Sequence, residues 1–219
     1  MIRTSRTIVA RLLGLWPTRT RRTFVVLGCP RGGTSLLAGA LDAAGVYMGK
    51  YRTLQYEDPE FKIQPHLASE APEQLAPVIR ARNLTHRYWG WKFPNNIYYI
   101  ERVLPLLINP CFLFVYRDLY EIARSSARHD GRNWTAQGEH LIEVAFNHSA
   151  KVRRFQASLH LPHHVFQLEA IQADPGAFAD QMVEILHPMF ASREKIMRFV
   201  MPHGGYHAHG AVKRHVIKN

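Results

Sequence analysis

Cysteine is scarce in this chain: only Cys29 and Cys111 occur in 219 residues. That excludes a disulfide framework and a cysteine-rich metal centre, and it fits a reducing compartment such as the cytoplasm. Long apolar runs are missing too. The apolar stretch from Ile8 to Trp16 is interrupted by Arg11 and is too short to span a bilayer. It lacks a small-residue cleavage site, so no signal peptide is expected. The histidines form no His-Glu-x-x-His or comparable spacing, so no metal is expected. Negative charge is in short supply, with 17 Asp and Glu against 28 Lys and Arg, for a net charge of +11. The excess favours anionic partners without choosing among nucleotides, nucleic acid, acidic membrane surfaces and acidic glycans.

What is present is enough for one ordinary domain. Hydrophobic residues make up 47% and charged residues 21%, the balance of a globular chain with a core. Three parts are expected: a basic leader over 1–22, a domain over 23–200 and a basic His/Gly-rich tail over 201–219. The leader holds Arg3, Arg6, Arg11, Arg19, Arg21 and Arg22. It reads either as a solvated, partly helical segment or as a peripheral membrane contact. Three Asn-x-Ser/Thr triplets, at Asn83, Asn133 and Asn147, matter only in a secreted chain.

Apolar runs rich in β-branched and aromatic residues predict strands at Thr23–Gly28, Tyr88–Lys92, Cys111–Tyr116 and His164–Leu168. Helices are expected over Ser35–Ala44, Asn95–Leu104, Leu119–Arg128, Trp134–Leu159, about Asp174 to Leu186, and Arg193–Val200. Val46 to Gln74 has no clean periodicity and reads as a loop region. Strands alternating with helices predict an α/β fold: one three-layer α/β/α domain around a parallel sheet.

The chemistry centres on Cys29-Pro30-Arg31-Gly32-Gly33-Thr34-Ser35. A strand feeding a glycine-rich turn and then a helix holds phosphate, because backbone N–H groups and the helix dipole converge on the anion. Gly32 and Gly33 admit close backbone approach. Arg31 supplies a fork of donors, and Thr34 and Ser35 place hydroxyls at the helix start, able to cap it and to touch phosphate. The loop is not Gly-x-x-x-x-Gly-Lys-Ser/Thr, since no lysine follows the second glycine. That counts against an ATPase, a GTPase or a small-molecule kinase. A bare structural turn is the bland alternative.

Leu27 to Leu37 resembles the 5′-phosphosulfate-binding loop of sulfotransferases that use 3′-phosphoadenosine 5′-phosphosulfate (PAPS), in the bacterial branch of that family. Phe114-Val-Tyr-Arg-Asp-Leu-Tyr-Glu-Ile-Ala-Arg-Ser125 resembles the family's 3′-phosphate-binding segment, with Arg117 and Ser125 at the two binding positions. Weaker likenesses lie at Trp89-Gly-Trp-Lys-Phe-Pro94, at Tyr56-Glu-Asp-Pro-Glu60 and at Val165 to Pro175; together the resemblance covers roughly residues 23 to 190. Departures exist: Phe93, Asn95 and Leu119 replace Asp, Arg and Pro of the family pattern.

The resemblance implies a sulfotransferase with PAPS as co-substrate. Arg31, Gly32, Gly33, Thr34, Ser35, Arg117 and Ser125 would bind it, and Arg31, Lys92 and Glu57 would be catalytic. Lys92 would reach the sulfuryl group. Glu57 would take the acceptor proton, with His66 the alternative. The acceptor could be a glycan, lipid, peptide or small molecule. A specific nucleic-acid partner is not expected, because the arginines concentrate in the leader and around residues 117 to 132.

Overall fold

The computed structural model describes residues 21–50, 55–189 and 191–201. Most of the leader (1–20) and nearly all of the tail (202–219) therefore lie outside the described residues, and so do the expectations about them.

All four expected strands form: β1 (Arg22–Gly28), β2 (Tyr88–Lys92), β3 (Pro110–Tyr116) and β4 (His163–Gln167). They make one sheet in the order β2-β1-β3-β4, parallel throughout. Val26 pairs with Lys92 on one side and Leu113 on the other, and Gly28 pairs with Val115, so β1 and β3 end within one residue of each other and β2 ends two residues short of β1.

The strands alternate between two buried faces. Phe24 and Val26 of β1 with Leu113 and Val115 of β3 pack on α1 (Thr34–Ala43), α7 (Pro175–Leu186) and α8 (Arg193–Val200). Val25, Leu27, Phe112 and Phe114 pack on α2 (Ala71–Thr85), α3 (Ile100–Val103) and α5 (Trp134–Ser158). Both faces are covered, which is why the strands read as near-continuous apolar runs. The result is the three-layer α/β/α fold. Among the described residues, no helix is long and apolar enough to cross a membrane.

Three elements differ from the sequence reading. The expected helix over Asn95–Leu104 is broken into a 3₁₀ turn (Pro94–Tyr98), the one-turn α3 and a second 3₁₀ turn (Leu104–Leu106). Pro94 and Pro105 each sit in the first turn of a 3₁₀ piece, where their missing N–H does no harm. Helix α2 was not foreseen, and it runs through Pro77. Helix α4 (Leu119–Asp130) is followed by Gly131 in the left-handed conformation, and α6 (Leu168–Ala173) is a short extra helix after β4.

Two of the Asn-x-Ser/Thr triplets serve the fold. Asn83 is buried and accepts from the Trp89 indole at 3.0 Å, and Asn133 caps α5 by accepting from the Ala136 N–H at 3.3 Å. An aromatic stack of Phe61, Trp89 and Trp91 lies under the end of β2, with centroids 4.5 Å apart for Phe61 and Trp91 and 5.6 Å for the two indoles. Each such buried ring contributes about 1.5–3 kcal/mol of transfer free energy.

Candidate functional site

In an open parallel sheet the binding crevice forms at the carboxyl ends of the strands, where the chain order reverses. Here that point is β1, with β2 on one side and β3 on the other. All four strand ends contribute: the loop 29–35 follows β1, Lys92 ends β2, Arg117 follows β3 and Leu168 follows β4.

The loop is a tight turn running into a helix. Gly32 N–H donates to the Cys29 carbonyl at 2.9 Å. Arg31 takes a left-handed φ of 66°, and Gly33 one of 98°. Gly33 has a further reason to be glycine: a Cβ there would come within 2.9 Å of the Leu168 side chain. Gly33 is the N-cap of α1, and no side chain caps this end. The expectation that Thr34 or Ser35 caps the helix is thus corrected. Both lie inside the first turn, with Thr34 buried and Ser35 half-buried. The N–H groups of Leu36 and Leu37 donate to the Gly33 carbonyl at 2.9 and 3.4 Å, which leaves those of Thr34 and Ser35 to point out of the helix's positive end.

On the β3 flank, the two sequence motifs meet. Arg31 Nε donates to Ser125 Oγ at 3.2 Å, and Arg117 Nη1 donates to the Arg31 carbonyl at 3.2 Å. Arg117 thereby braces a backbone conformation that an arginine rarely adopts. Its other donors face carboxylates, Glu121 at 3.3 Å and Glu169 at 3.9 Å. Arg31 is exposed and Ser125 is buried on α4.

On the β2 flank stands a buried lysine. Lys92 Nζ lies 3.4 Å from Ser35 Oγ, 3.3 Å from the Gln55 carbonyl and 3.2 Å from Glu57 Oε1. Its side chain is only 3% exposed, whereas that of Glu57 is 33% exposed. Burial pushes the Lys92 ammonium below the ordinary lysine value; Glu57 opposes the drop and Arg31 adds to it. Lys92 and Glu57, separated in sequence, are therefore one ion pair beside the loop.

His66, the other proton acceptor considered, is exposed in the 3₁₀ turn Pro65–Leu67. Cys29 lies within the loop but is buried, and burial raises its thiol to about 11, with Ser149 opposing. It is no thiolate nucleophile at neutral pH. Sequence reasoning missed His148 of α5, which is buried beside Tyr98 with Nε2 unpartnered among the described residues. Burial holds it below the usual histidine range, opposed by the backbone of Gly28 and Pro94.

Also missed were the carboxylates facing Arg117. Glu121 was findable, being four residues on along an expected helix. Glu169 carries no local signal. Among the described residues, no three His, Cys, Asp or Glu side chains gather as a metal site would need. Neither a protein-family model nor a curated protein matches this chain.

Proposed function

We propose that the chain is a sulfotransferase that moves a sulfuryl group from PAPS to a hydroxyl or amine. The observation that carries this reading is the contact between the two motif segments. Arg31 reaches Ser125 across 94 residues of sequence, and Arg117 reaches Arg31 across 86. Arg31 and the first-turn N–H groups of α1 are suited to the 5′-phosphate, with Gly32 and Gly33 admitting its oxygens. Arg117 and Ser125 are suited to a separate 3′-phosphate.

Lys92 lies on the other side of the loop, where it can offset charge on the oxygen that leaves sulfur. Glu57 accepts the proton of the attacking hydroxyl or amine. The bond from sulfur to the acceptor forms as the bond from sulfur to the donor phosphate oxygen breaks. 3′-Phosphoadenosine 5′-phosphate leaves. No metal is needed, since the phosphosulfate is already activated. Both cysteines are buried free thiols and Asn83 is buried, which fits a cytoplasmic location.

The test is thermal stabilisation. 3′-Phosphoadenosine 5′-phosphate at about 100 times its Kd should stabilise the fold by about 2.7 kcal/mol. Stabilisation by ATP–magnesium alone would overturn the reading in favour of a kinase.

A further inference from the structure

Helix α2 carries a charge that the proposed chemistry does not use. Arg82 is 4% exposed, and its Nη1 donates to Asp58 Oδ2 at 2.5 Å while Nη2 donates to Glu60 Oε2. The guanidinium lies over the Phe61 ring at 4.8 Å, with Tyr47 at 5.4 Å and Trp89 at 5.6 Å. A buried ion pair of this kind is a weak source of stability, because desolvation offsets most of the attraction. What it does supply is a fixed geometry for the segment it grips.

That segment is fastened on every side. Asp58 is 1% exposed, its N–H donates to the Lys92 carbonyl at 3.2 Å, and its Oδ1 accepts the Glu60 N–H at 3.1 Å. Gly49 makes room for it, since a Cβ there would come within 2.6 Å of Asp58 Oδ2. Tyr56 holds a left-handed φ of 58°, a conformation a tyrosine keeps only when its surroundings impose it. Glu57 lies between these two constrained neighbours.

We propose that Arg82 is a positioning residue: by gripping Asp58 and Glu60 it holds the Glu57 carboxylate against Lys92. The clamp stands on geometry alone, and only the role of Glu57 as proton acceptor rests on the sulfotransferase reading. The two claims can fail separately.

Arg82→Lys keeps the charge, but one ammonium cannot span both carboxylates as the fork does. Glu60→Gln loosens the outer half of the clamp at a residue whose side chain is 45% exposed, with little risk to folding. Three measurements on the full chain decide. Backbone hydrogen exchange at Asp58, referenced to the β1 amides, should rise at least about tenfold in Arg82→Lys and less in Glu60→Gln. The Kd for 3′-phosphoadenosine 5′-phosphate should stay within about twofold of wild type, while kcat for splitting PAPS by water falls at least about tenfold with KM unchanged. In a Glu57→Gln background, Arg82→Lys should cause no further loss of kcat.

Asp58 exchange that rises only in step with the β1 amides makes Arg82 merely structural and overturns the proposal. So does a kcat loss that persists in the Glu57→Gln background. If wild type binds no 3′-phosphoadenosine 5′-phosphate, the sulfotransferase reading falls, and the exchange ratio alone decides the clamp.

Discussion

The two flanks of the glycine-rich loop carry positive charge in opposite ways. Toward β3 the charge is on arginines near the surface, with Arg31 exposed and the Arg117 side chain 20% exposed. Toward β2 it is one ammonium, Lys92, sealed at 3% exposure against a single carboxylate. A guanidinium stays charged and weakly hydrated, so it can recognise a phosphate at the surface with two or more donors. A buried ammonium is a point charge whose proton affinity its surroundings set, which suits a group that must act on a changing charge. On the sulfotransferase reading proposed above, the difference assigns recognition to one flank and reaction to the other.

The strongest way to break that division is Lys92→Met. Loss of the buried ammonium should lower the initial rate of sulfuryl transfer from PAPS by about 100-fold or more, while calorimetry shows affinity for 3′-phosphoadenosine 5′-phosphate changed by about threefold or less. Equal loss of both would merge the flanks into one binding surface. Next in size is Arg117→Ala. Affinity for 3′-phosphoadenosine 5′-phosphate should fall by about 10- to 100-fold, or about 1.5–3 kcal/mol. Affinity for adenosine 5′-phosphosulfate, which has no 3′-phosphate, should hold. A parallel loss for both ligands would take the 3′-phosphate away from this flank.

The smallest effect concerns His148. Its folded pKa is depressed, so the unfolded chain binds the extra proton first. Its contribution is complete above the unfolded value of about 6.5 and is lost as pH falls below it. His86 and His164 are shifted the same way by burial and share the trend. Urea unfolding of His148→Phe should therefore show a shallower loss of stability than wild type between about pH 7 and pH 5. Sulfuryl transfer at neutral pH should be unchanged. A fall of about tenfold would sharpen the comparison differently, by adding a second proton acceptor to the β2 flank.

The strands were legible because a sheet buried on both faces leaves uninterrupted apolar runs, as in Phe24 to Leu27 and Phe112 to Val115. Helix α7 was legible from Asp174-Pro175, and the Asp174 side chain caps it by accepting the Ala177 N–H. Helix α8 was expected over Arg193–Val200 with no cap read for it, and the structure adds one in Ser192, which accepts the Lys195 N–H. Helix α2 was not, because Pro72 and Pro77 read as breakers and its buried face includes Arg82 and Asn83. Tertiary contacts override those local preferences. Within the site, the loop and the segment from Arg117 to Ser125 were legible because each is contiguous. Glu169 opposite Arg117 and Arg82 opposite Asp58 were not, since an ion pair between distant segments leaves no periodic trace.

The reach of these contacts has a consequence for how the protein is made. Lys92 meets residues 35 and 57 positions earlier, and Ser125 closes on a loop 94 positions behind it. Contacts so far apart in sequence form late, after loop closure has been overcome. On the ribosome, a nascent chain released only as far as β3 holds the glycine-rich turn without the side chains that complete its anion cradle. On the sulfotransferase reading proposed above, nucleotide has nothing to select until α4 has emerged, and its binding would shield finished chains from proteases while truncated products stay open to degradation.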